Sequence, residues 1–103
     1  MNTNGKTGLD EILGILRSRT PELKQKYQIR GIWVFGSYVK GEQTERSDLD
    51  LLVEFEPGYK TFKNYMRLKY ALEEILGMKV DLILRNSLRK EIRETVFKEA
   101  VNV

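Results

Sequence analysis

The sequence predicts a single α/β domain in which helices pack against a small β-sheet. Three observations support this fold class: apolar residues recur at helical spacing, short runs rich in β-branched and aromatic residues lie between them, and Gly or Pro separates the segments. The predicted order is helix, strand, short helix, strand, helix, strand, helix. A chain of 103 residues is long enough for one core and too short for a second catalytic lobe. We therefore expect residues 1–103 to form one domain.

The chain opens with a predicted amphipathic helix. Its apolar residues follow one another at the spacing of a single helical face: Leu9, Ile12, Leu13 and Leu16. Thr20 followed by Pro21 predicts that this helix stops and another begins, because threonine is a frequent cap and proline fits a first helical turn. The sequence thus predicts an interrupted helix before the first strand.

The first predicted strand, Ile29 to Phe35, is rich in β-branched and aromatic residues. We expect Trp33 and Phe35 to lie in the core rather than to serve as base-stacking groups. The strand leads directly into Gly36, and the polar segment after it predicts one or two helical turns that end near Gly41.

The second predicted strand, Asp48 to Phe55, carries an acidic pair at its start. Because alternate residues of a strand share a face, the core face is expected to hold four apolar residues: Leu49, Leu51, Val53 and Phe55. The same alternation places Asp48 and Asp50 together on the other face. Glu56-Pro57-Gly58 then predicts a turn.

The rest of the chain predicts a helix, a strand and a helix. The long helix ends at Gly77, a C-cap residue, and is marked by Phe62, Tyr65, Leu68, Leu72 and Ile75. Val80 to Leu84 predicts a third, short strand. Ser87 is expected to cap the last helix, whose apolar side carries Leu88, Ile92 and Val96. The short connection between the first two strands leaves strand order and direction open.

The composition narrows the available chemistry. The chain has no cysteine and no histidine, which excludes disulfides, thiolate chemistry and histidine-based acid–base catalysis. Any metal is therefore expected to have oxygen ligands, as Mg²⁺, Ca²⁺ and Mn²⁺ prefer. The net charge of +3 is spread over interleaved acidic and basic residues, so nucleic acid is not expected as the direct substrate.

The sequence shows no membrane or secretory segment. No apolar run approaches the ~20 residues of a membrane-spanning helix, and the polar start, Met1 to Thr7, lacks the apolar segment of a secretory signal. We therefore expect a cytoplasmic protein with no membrane partner.

Asp48 and Asp50 are candidate metal ligands. On one strand their backbones lie about 6–7 Å apart, given a rise of ~3.3 Å per residue, and their side chains face the same way. Two such carboxylates can share one Mg²⁺ or bridge two ions that stabilise the attacking and leaving oxygens of a phosphoryl transfer. The alternative is a solvated acidic strand end, with Asp48 as a turn or cap residue.

Asp81 is a third acidic candidate, within the otherwise apolar segment Val80 to Leu84. A charge inside an apolar strand is costly unless it is paired or binds a ligand. In a shared cleft, Asp81 would either ligate the catalytic ion or act as general base on an attacking hydroxyl. The alternative is an edge-strand aspartate in water.

Gly36 and Ser37 are candidate phosphate-binding residues. Glycine lets the backbone approach a ligand closely, and Ser37, if it opens a helix, presents its amide and hydroxyl to an anion. A plain strand-to-helix turn is the alternative. Lys40 and Arg46 bracket the loop and either meet triphosphate charge or are ordinary loop cations. The role of Tyr38 stays open.

Together these motifs resemble the nucleotidyltransferase superfamily whose fold is shared with DNA polymerase beta. More narrowly, Gly36 to Glu42 followed by Ser47 to Glu54 resembles the minimal nucleotidyltransferases. Val80 to Ile83 and Ser87 to Ala100 resemble the ending of that group, so the resemblance covers most of the chain. Lys40 stands where arginine is frequent in the group, a change that removes no ligand.

The resemblance implies a small mixed β-sheet flanked by helices and a magnesium-dependent transfer of a nucleoside monophosphate. The implied donor is a nucleoside triphosphate, usually ATP, and the implied acceptor is a hydroxyl, with pyrophosphate released. Gly36 and Ser37 would hold the triphosphate. Asp48 and Asp50 would ligate the ions of a two-ion site, and Asp81 would complete that site and help activate the acceptor.

Many members of the minimal group resemble antitoxins that adenylylate a tyrosine of a HEPN-domain RNase toxin. The resemblance therefore implies a protein acceptor, and either a homodimer or a hetero-complex is compatible with so small a domain. Two alternatives stay open. One is a non-catalytic binding module that neutralises the toxin by occlusion, and the other is a nucleotidyltransferase that modifies a small molecule.

Overall fold

The computed structural model describes residues 8–103, so the predicted absence of a signal in Met1 to Thr7 falls outside the described residues. In chain order the elements are α1 (Leu9–Tyr27), β1 (Ile29–Phe35), α2 (Ser37–Lys40), β2 (Leu49–Phe55), α3 (Phe62–Leu76), β3 (Val80–Leu84), a 3₁₀ turn (Arg85–Ser87), α4 (Lys90–Glu99) and β4 (Val101–Asn102). Within residues 8–103, no helix is both long and apolar enough to cross a membrane.

The strands form one mixed sheet in the order β3-β2-β1-β4. β1 is antiparallel to β2 and to β4, whereas β2 and β3 are parallel. The expected α/β class and the small mixed sheet flanked by helices are thereby confirmed. The structure also supplies the strand order that the sequence left open.

One face of the sheet packs against α1 and α3 and forms the main core. The residues predicted for the core face of β2 are all buried here: Leu49, Leu51, Val53 and Phe55. Leu16 of α1 and Leu68 and Leu72 of α3 belong to the same cluster and are fully buried. Burying a side chain of this size contributes about 1.5–3 kcal/mol, so this face holds the helices to the sheet.

The opposite face carries a smaller aromatic cluster beneath α4. Trp33 of β1 meets Phe97 of α4 edge to face, with the ring centroids 5.4 Å apart. The Arg85 guanidinium lies 5.2 Å from the Trp33 ring and 4.6 Å from the Phe97 ring, and it donates to Glu54 Oε1 at 3.0 Å. These contacts fix α4 over one part of this second face.

The prediction that Trp33 and Phe35 lie in the core is wrong. Side chains alternate along β1, and the core positions go to Ile32 and Val34, which are almost fully buried. Trp33 and Phe35 therefore point to the second face, where both are half-buried.

α1 is one continuous helix, so the predicted stop at Thr20 and Pro21 is also wrong. Thr20 is buried, and its hydroxyl donates to the Leu16 carbonyl at 2.6 Å, a bond typical of helix interiors rather than caps. Proline removes one backbone hydrogen bond, but Leu23 and Tyr27 beyond it are buried in the core. Because this packing stabilises both sides of Pro21, the helix continues to Tyr27.

The end of the chain differs from the prediction in two places. Ser87 lies in the 3₁₀ turn, where its hydroxyl donates to the Leu84 carbonyl at 2.8 Å, and Arg89 instead is the N-cap of α4. The sequence does not predict β4, a two-residue strand that pairs with Trp33 and Val34. So short a segment has no periodicity of its own, and it becomes a strand because β1 offers a free edge.

Candidate active site

The ends of three strands meet on the second face of the sheet. The register places Phe35, at the end of β1, opposite Asp50, near the start of β2, and Asp50 opposite Asp81, near the start of β3. Cross-strand partners share a face, so Asp50 and Asp81 are neighbours although they are far apart in sequence. Asp48 lies just before β2 and is exposed.

Gly36 turns the chain out of β1 directly against Asp50. Its φ of 81° and ψ of −148° lie in a region open almost only to glycine. A Cβ at this position would lie 2.2 Å from Asp50 Oδ2, far inside contact distance. The missing side chain at Gly36 is what allows the turn and the carboxylate to adjoin.

Asp50 sits where its charged form is disfavoured. Its pKa is raised to about 6, first by burial and then by the charge of Asp81, a side-chain hydrogen bond with Asp81 and the charge of Asp48. A hydrogen bond between two carboxyl groups needs a proton, so this pair shares one when Asp50 is protonated. Acidic groups kept this close in spite of their repulsion are typical of functional sites.

α2 is a single helical turn that begins at Ser37 and rests on Gly36. The Gly36 carbonyl accepts the N–H groups of Val39 and Lys40 at 3.1 and 3.2 Å, and the Ser37 carbonyl accepts that of Glu42 at 2.9 Å. The first N–H groups of a helix have no acceptor within it. The amide of Ser37 is therefore not used by α2 itself.

Tyr38 anchors α2 to the domain. Its side chain is only 5% exposed and belongs to the main core. Burial, and then the charge of Asp48, raise the pKa of its phenol. Tyr38 therefore packs in the interior and is not an exposed stacking group, which answers the question that the sequence left open.

The two candidate cations are placed differently. Lys40, the last residue of α2, lies with Nζ 3.7 Å from Oε2 of Glu99, the last residue of α4. Arg46 is an exposed residue of the turn before β2, and its backbone N–H donates to Thr44 Oγ1 at 3.2 Å. The sequence does not predict that Glu99 lies beside Lys40. The indication that it offers is a glutamate at a helix C-terminus, a position that the helix dipole disfavours.

The three aspartates have the oxygen ligands that Mg²⁺ prefers, but their side chains are only partly gathered around one point. Asp50 and Asp81 are in direct contact, and Asp48 is near enough for its charge to act on Asp50. Across residues 8–103, however, no three acidic side chains are already gathered as a ligand cage. Mg²⁺ usually takes only one or two carboxylates, with water and substrate phosphates as the other ligands. The donor set therefore suits an ion that arrives with a nucleotide.

A groove of about 420 Å³ lies elsewhere, between α1 and α3. Its lining includes Arg19, Glu22, Tyr27, Arg67 and Tyr70. Because α1 and α3 cover the core face, this groove lies across the sheet from Asp50. The second face instead holds Asp50 and Asp81 as cross-strand partners beside the Gly36 turn, and this region is called the carboxylate face below. The chemistry therefore favours the carboxylate face over this groove.

Comparison with known proteins finds similarity to nucleotidyltransferases. Residues 16–103 match the family described as the nucleotidyltransferase domain. The protein adenylyltransferase MntA of Thermococcus cleftensis is 44% identical over 95 residues, which cover 92% of this chain and 95% of that protein. A solved structure described as a minimal nucleotidyltransferase superposes with a TM-score of 0.80 at 38% identity, covering 97% of this chain and 100% of its own.

A more distant structure shares the fold. It is an MNT antitoxin in complex with a tri-AMPylated HEPN toxin of Shewanella oneidensis, and the matched chain is 22% identical with a TM-score of 0.54. The match covers 90% of this chain and 66% of the other.

Proposed function

Because this chain belongs to the nucleotidyltransferase domain family, we propose that it transfers AMP from ATP to a hydroxyl of a partner protein with the help of Mg²⁺. One observation carries the proposal. Asp50 lies between the Gly36 turn, where a Cβ would come within 2.2 Å of its Oδ2, and its cross-strand partner Asp81. A glycine turn suited to phosphate and two acidic side chains therefore meet at one place.

Each residue of the site has a role in this reaction. Gly36 and Ser37 offer backbone at the turn for the triphosphate, and Lys40 at the end of α2 offers a positive charge at its rim. Asp48, Asp50 and Asp81 would hold Mg²⁺, which supplies charge neutralisation of the phosphates when bound. These assignments follow from position and chemistry, and the variants described below test them.

The reaction is an in-line displacement at the α-phosphorus. The acceptor oxygen forms a bond to that phosphorus, the bond from it to the bridging oxygen of the β-phosphate breaks, and pyrophosphate leaves. The proton of the acceptor hydroxyl goes to a carboxylate. Asp81 is suited to receive it because it is exposed beside Asp50, where an acceptor from outside can reach it.

The acceptor that we propose is a tyrosine of a HEPN-domain toxin, so that the protein acts as an antitoxin. Support comes from a relative named as a protein adenylyltransferase and from a structure of the same fold that holds an AMPylated HEPN toxin. The exposed position of Asp81 also suits an acceptor presented by another protein.

Transfer of a labelled phosphate tests the proposal. The purified protein is incubated with Mg²⁺ and with ATP labelled at either the α- or the γ-phosphate, with and without its candidate HEPN-domain partner. We expect α-label on a tyrosine of the partner, no γ-label, and no transfer once EDTA removes the metal. Transfer of γ-label would indicate a kinase instead. Transfer of α-label to a small molecule without any partner would favour the alternative of a nucleotidyltransferase that modifies a small molecule.

A further inference from the structure

The sheet itself places Glu99 at the rim of the candidate active site. Glu99 ends α4, and after Ala100 the chain enters β4, where Val101 pairs with Val34 of β1. Val34 lies two residues before Gly36, the turn that adjoins Asp50. The pairing of β4 with β1 therefore positions Glu99 next to the Gly36 turn, independently of any contact made by its side chain.

The side chain of Glu99 then contacts the only candidate cation of α2. Its Oε2 lies 3.7 Å from Lys40 Nζ, and the two side chains are 50% and 49% exposed. The pair links the end of α2 to the end of α4. A glutamate is unusual at this position, because the negative end of the helix dipole of α4 lies there and disfavours a further negative charge.

We propose that Glu99 is a positioning residue for the triphosphate: it holds the Lys40 ammonium at the rim of the site before the nucleotide binds and releases it when the nucleotide enters. The inference rests on the proposed function, because it takes Lys40 as a triphosphate ligand. Glu99 would contact no part of the substrate, yet it would set how strongly the substrate is bound.

The electrostatics favour such an exchange. A half-exposed ion pair is weak, so Lys40 is oriented by Glu99 without being trapped. A triphosphate carries several negative charges, and Lys40 gains more from it than from a single carboxylate. Glu99 thus competes with the substrate for one cation, and removing its charge is expected to tighten nucleotide binding.

A double-mutant cycle on MgATP affinity, measured by isothermal titration, tests the exchange. Glu99→Gln keeps the size of the side chain and is expected to lower the Kd for MgATP about twofold to fivefold, in line with a half-exposed pair. Lys40→Gln is expected to raise the Kd. In the Lys40→Gln background, Glu99→Gln should change nothing further. AMP lacks the β- and γ-phosphates, and its Kd is expected to stay the same in all four proteins.

Glu94→Gln is the matched control, because it removes the same charge from an exposed position of the same helix. Among residues 8–103, Glu94 takes part in no ion pair. Glu94→Gln should leave the Kd unchanged, and the melting temperature of Glu99→Gln should match that of the parent.

Three results would overturn the inference: an equal effect of Glu94→Gln, a Glu99 effect of the same size with and without Lys40, or weaker binding by Glu99→Gln. A parent protein that does not bind MgATP at all would overturn the proposed function together with it. Normal MgATP binding with an additive cycle would reject only the role of Glu99.

Discussion

On one face of the sheet, Leu49, Leu51 and Val53 of β2 are fully buried in the main core. On the other face Asp50 and Glu54 of the same strand remain partly exposed, although Leu52 between them is fully buried. The first face is covered along its length by α1 and α3. The second is covered by α4 only around Trp33 and is open near Gly36. One strand therefore contributes to the main core with one set of side chains, while the alternate set carries Leu52 and the candidate chemistry of Asp50.

This difference makes the two faces separable by mutation. A change on the core face should alter the free energy of unfolding and leave the chemistry of each folded molecule intact. A change on the carboxylate face should alter the chemistry strongly and the free energy of unfolding by no more than about 1 kcal/mol.

The largest expected effect comes from Asp48→Asn/Asp50→Asn. Without both carboxylates, AMP transfer is expected to fall about a thousandfold, the scale on which a preorganised electrostatic group contributes. The transfer assay with α-labelled ATP measures this loss, and a melting curve checks that the fold is kept. Asp10→Asn/Glu11→Gln removes two charges from an exposed turn of α1 and should leave transfer unchanged. A double variant that has lost transfer but still neutralises the partner would favour the binding-module alternative.

The complementary change is Leu51→Ala on the core face. Leu51 is fully buried, and truncation of such a residue is expected to lower the free energy of unfolding by about 2–5 kcal/mol. Urea denaturation measures this change. The rate of transfer per folded molecule should not change. The control is Ile92→Ala, at a half-exposed position of α4, which should alter the free energy of unfolding by less than about 0.5 kcal/mol. A loss of kcat in a Leu51→Ala protein that is still folded would show that the two faces are coupled.

Gly36→Ala is expected to lower the rate of transfer by displacing Asp50. The added Cβ collides with the Asp50 carboxylate, so transfer is expected to fall about tenfold to a hundredfold, as for misplacement of a reacting group by about an ångström. Gly41→Ala is the matched control, because Gly41 also has a positive φ, 72°, but an added Cβ there meets nothing within 4 Å. Equal losses in both variants would mean that backbone strain, rather than contact with Asp50, is responsible.

The smallest effect concerns pH. The pKa of Asp50 is raised to about 6 from its ordinary value of 3.8, so the folded state binds more protons than the unfolded state between these two values. Stability that comes from protonated Asp50 is therefore fully present below pH 3.8 and is lost as the pH rises through about 6. At pH 7.5, Asp50→Asn is expected to be more stable than the parent by about 1 kcal/mol, a value discounted for partial exposure.

Urea denaturation of both proteins from pH 3.5 to 7.5 measures this difference. The difference in free energy of unfolding between Asp50→Asn and the parent should shrink towards zero at the acidic end of this range. A difference that is the same at every pH would contradict the proposed environment of Asp50.

The sequence predicts best what depends on local pattern. β1 and β3 begin and end where apolar, β-branched runs begin and end, and the alternation in β2 correctly separates Leu51 from Asp50. The glycine turn after β1 can also be predicted from the sequence, because Gly36 interrupts a run that favours extended structure.

Pairing across strands is what local pattern cannot supply. Strand alternation predicts that Asp50 shares a face with Asp48, two positions away. The parallel register of β2 and β3 is what brings Asp50 into contact with Asp81. The continuity of α1 through Pro21 and the existence of β4 likewise depend on packing between distant segments. Each of these features arises from tertiary contacts, which the order of neighbouring residues does not reveal.

We propose that the carboxylate face, and not the groove between α1 and α3, binds the nucleotide. The most direct test is an NMR titration of the ¹⁵N-labelled protein with MgATP, followed at each backbone amide. We predict that the amide signals of Gly36, Ser37, Asp50 and Asp81 shift on titration while those of Arg67 and Tyr70 stay in place. Shifts confined to Arg67, Tyr70 and the rest of that groove, with the Gly36 turn unaffected, would contradict the claim.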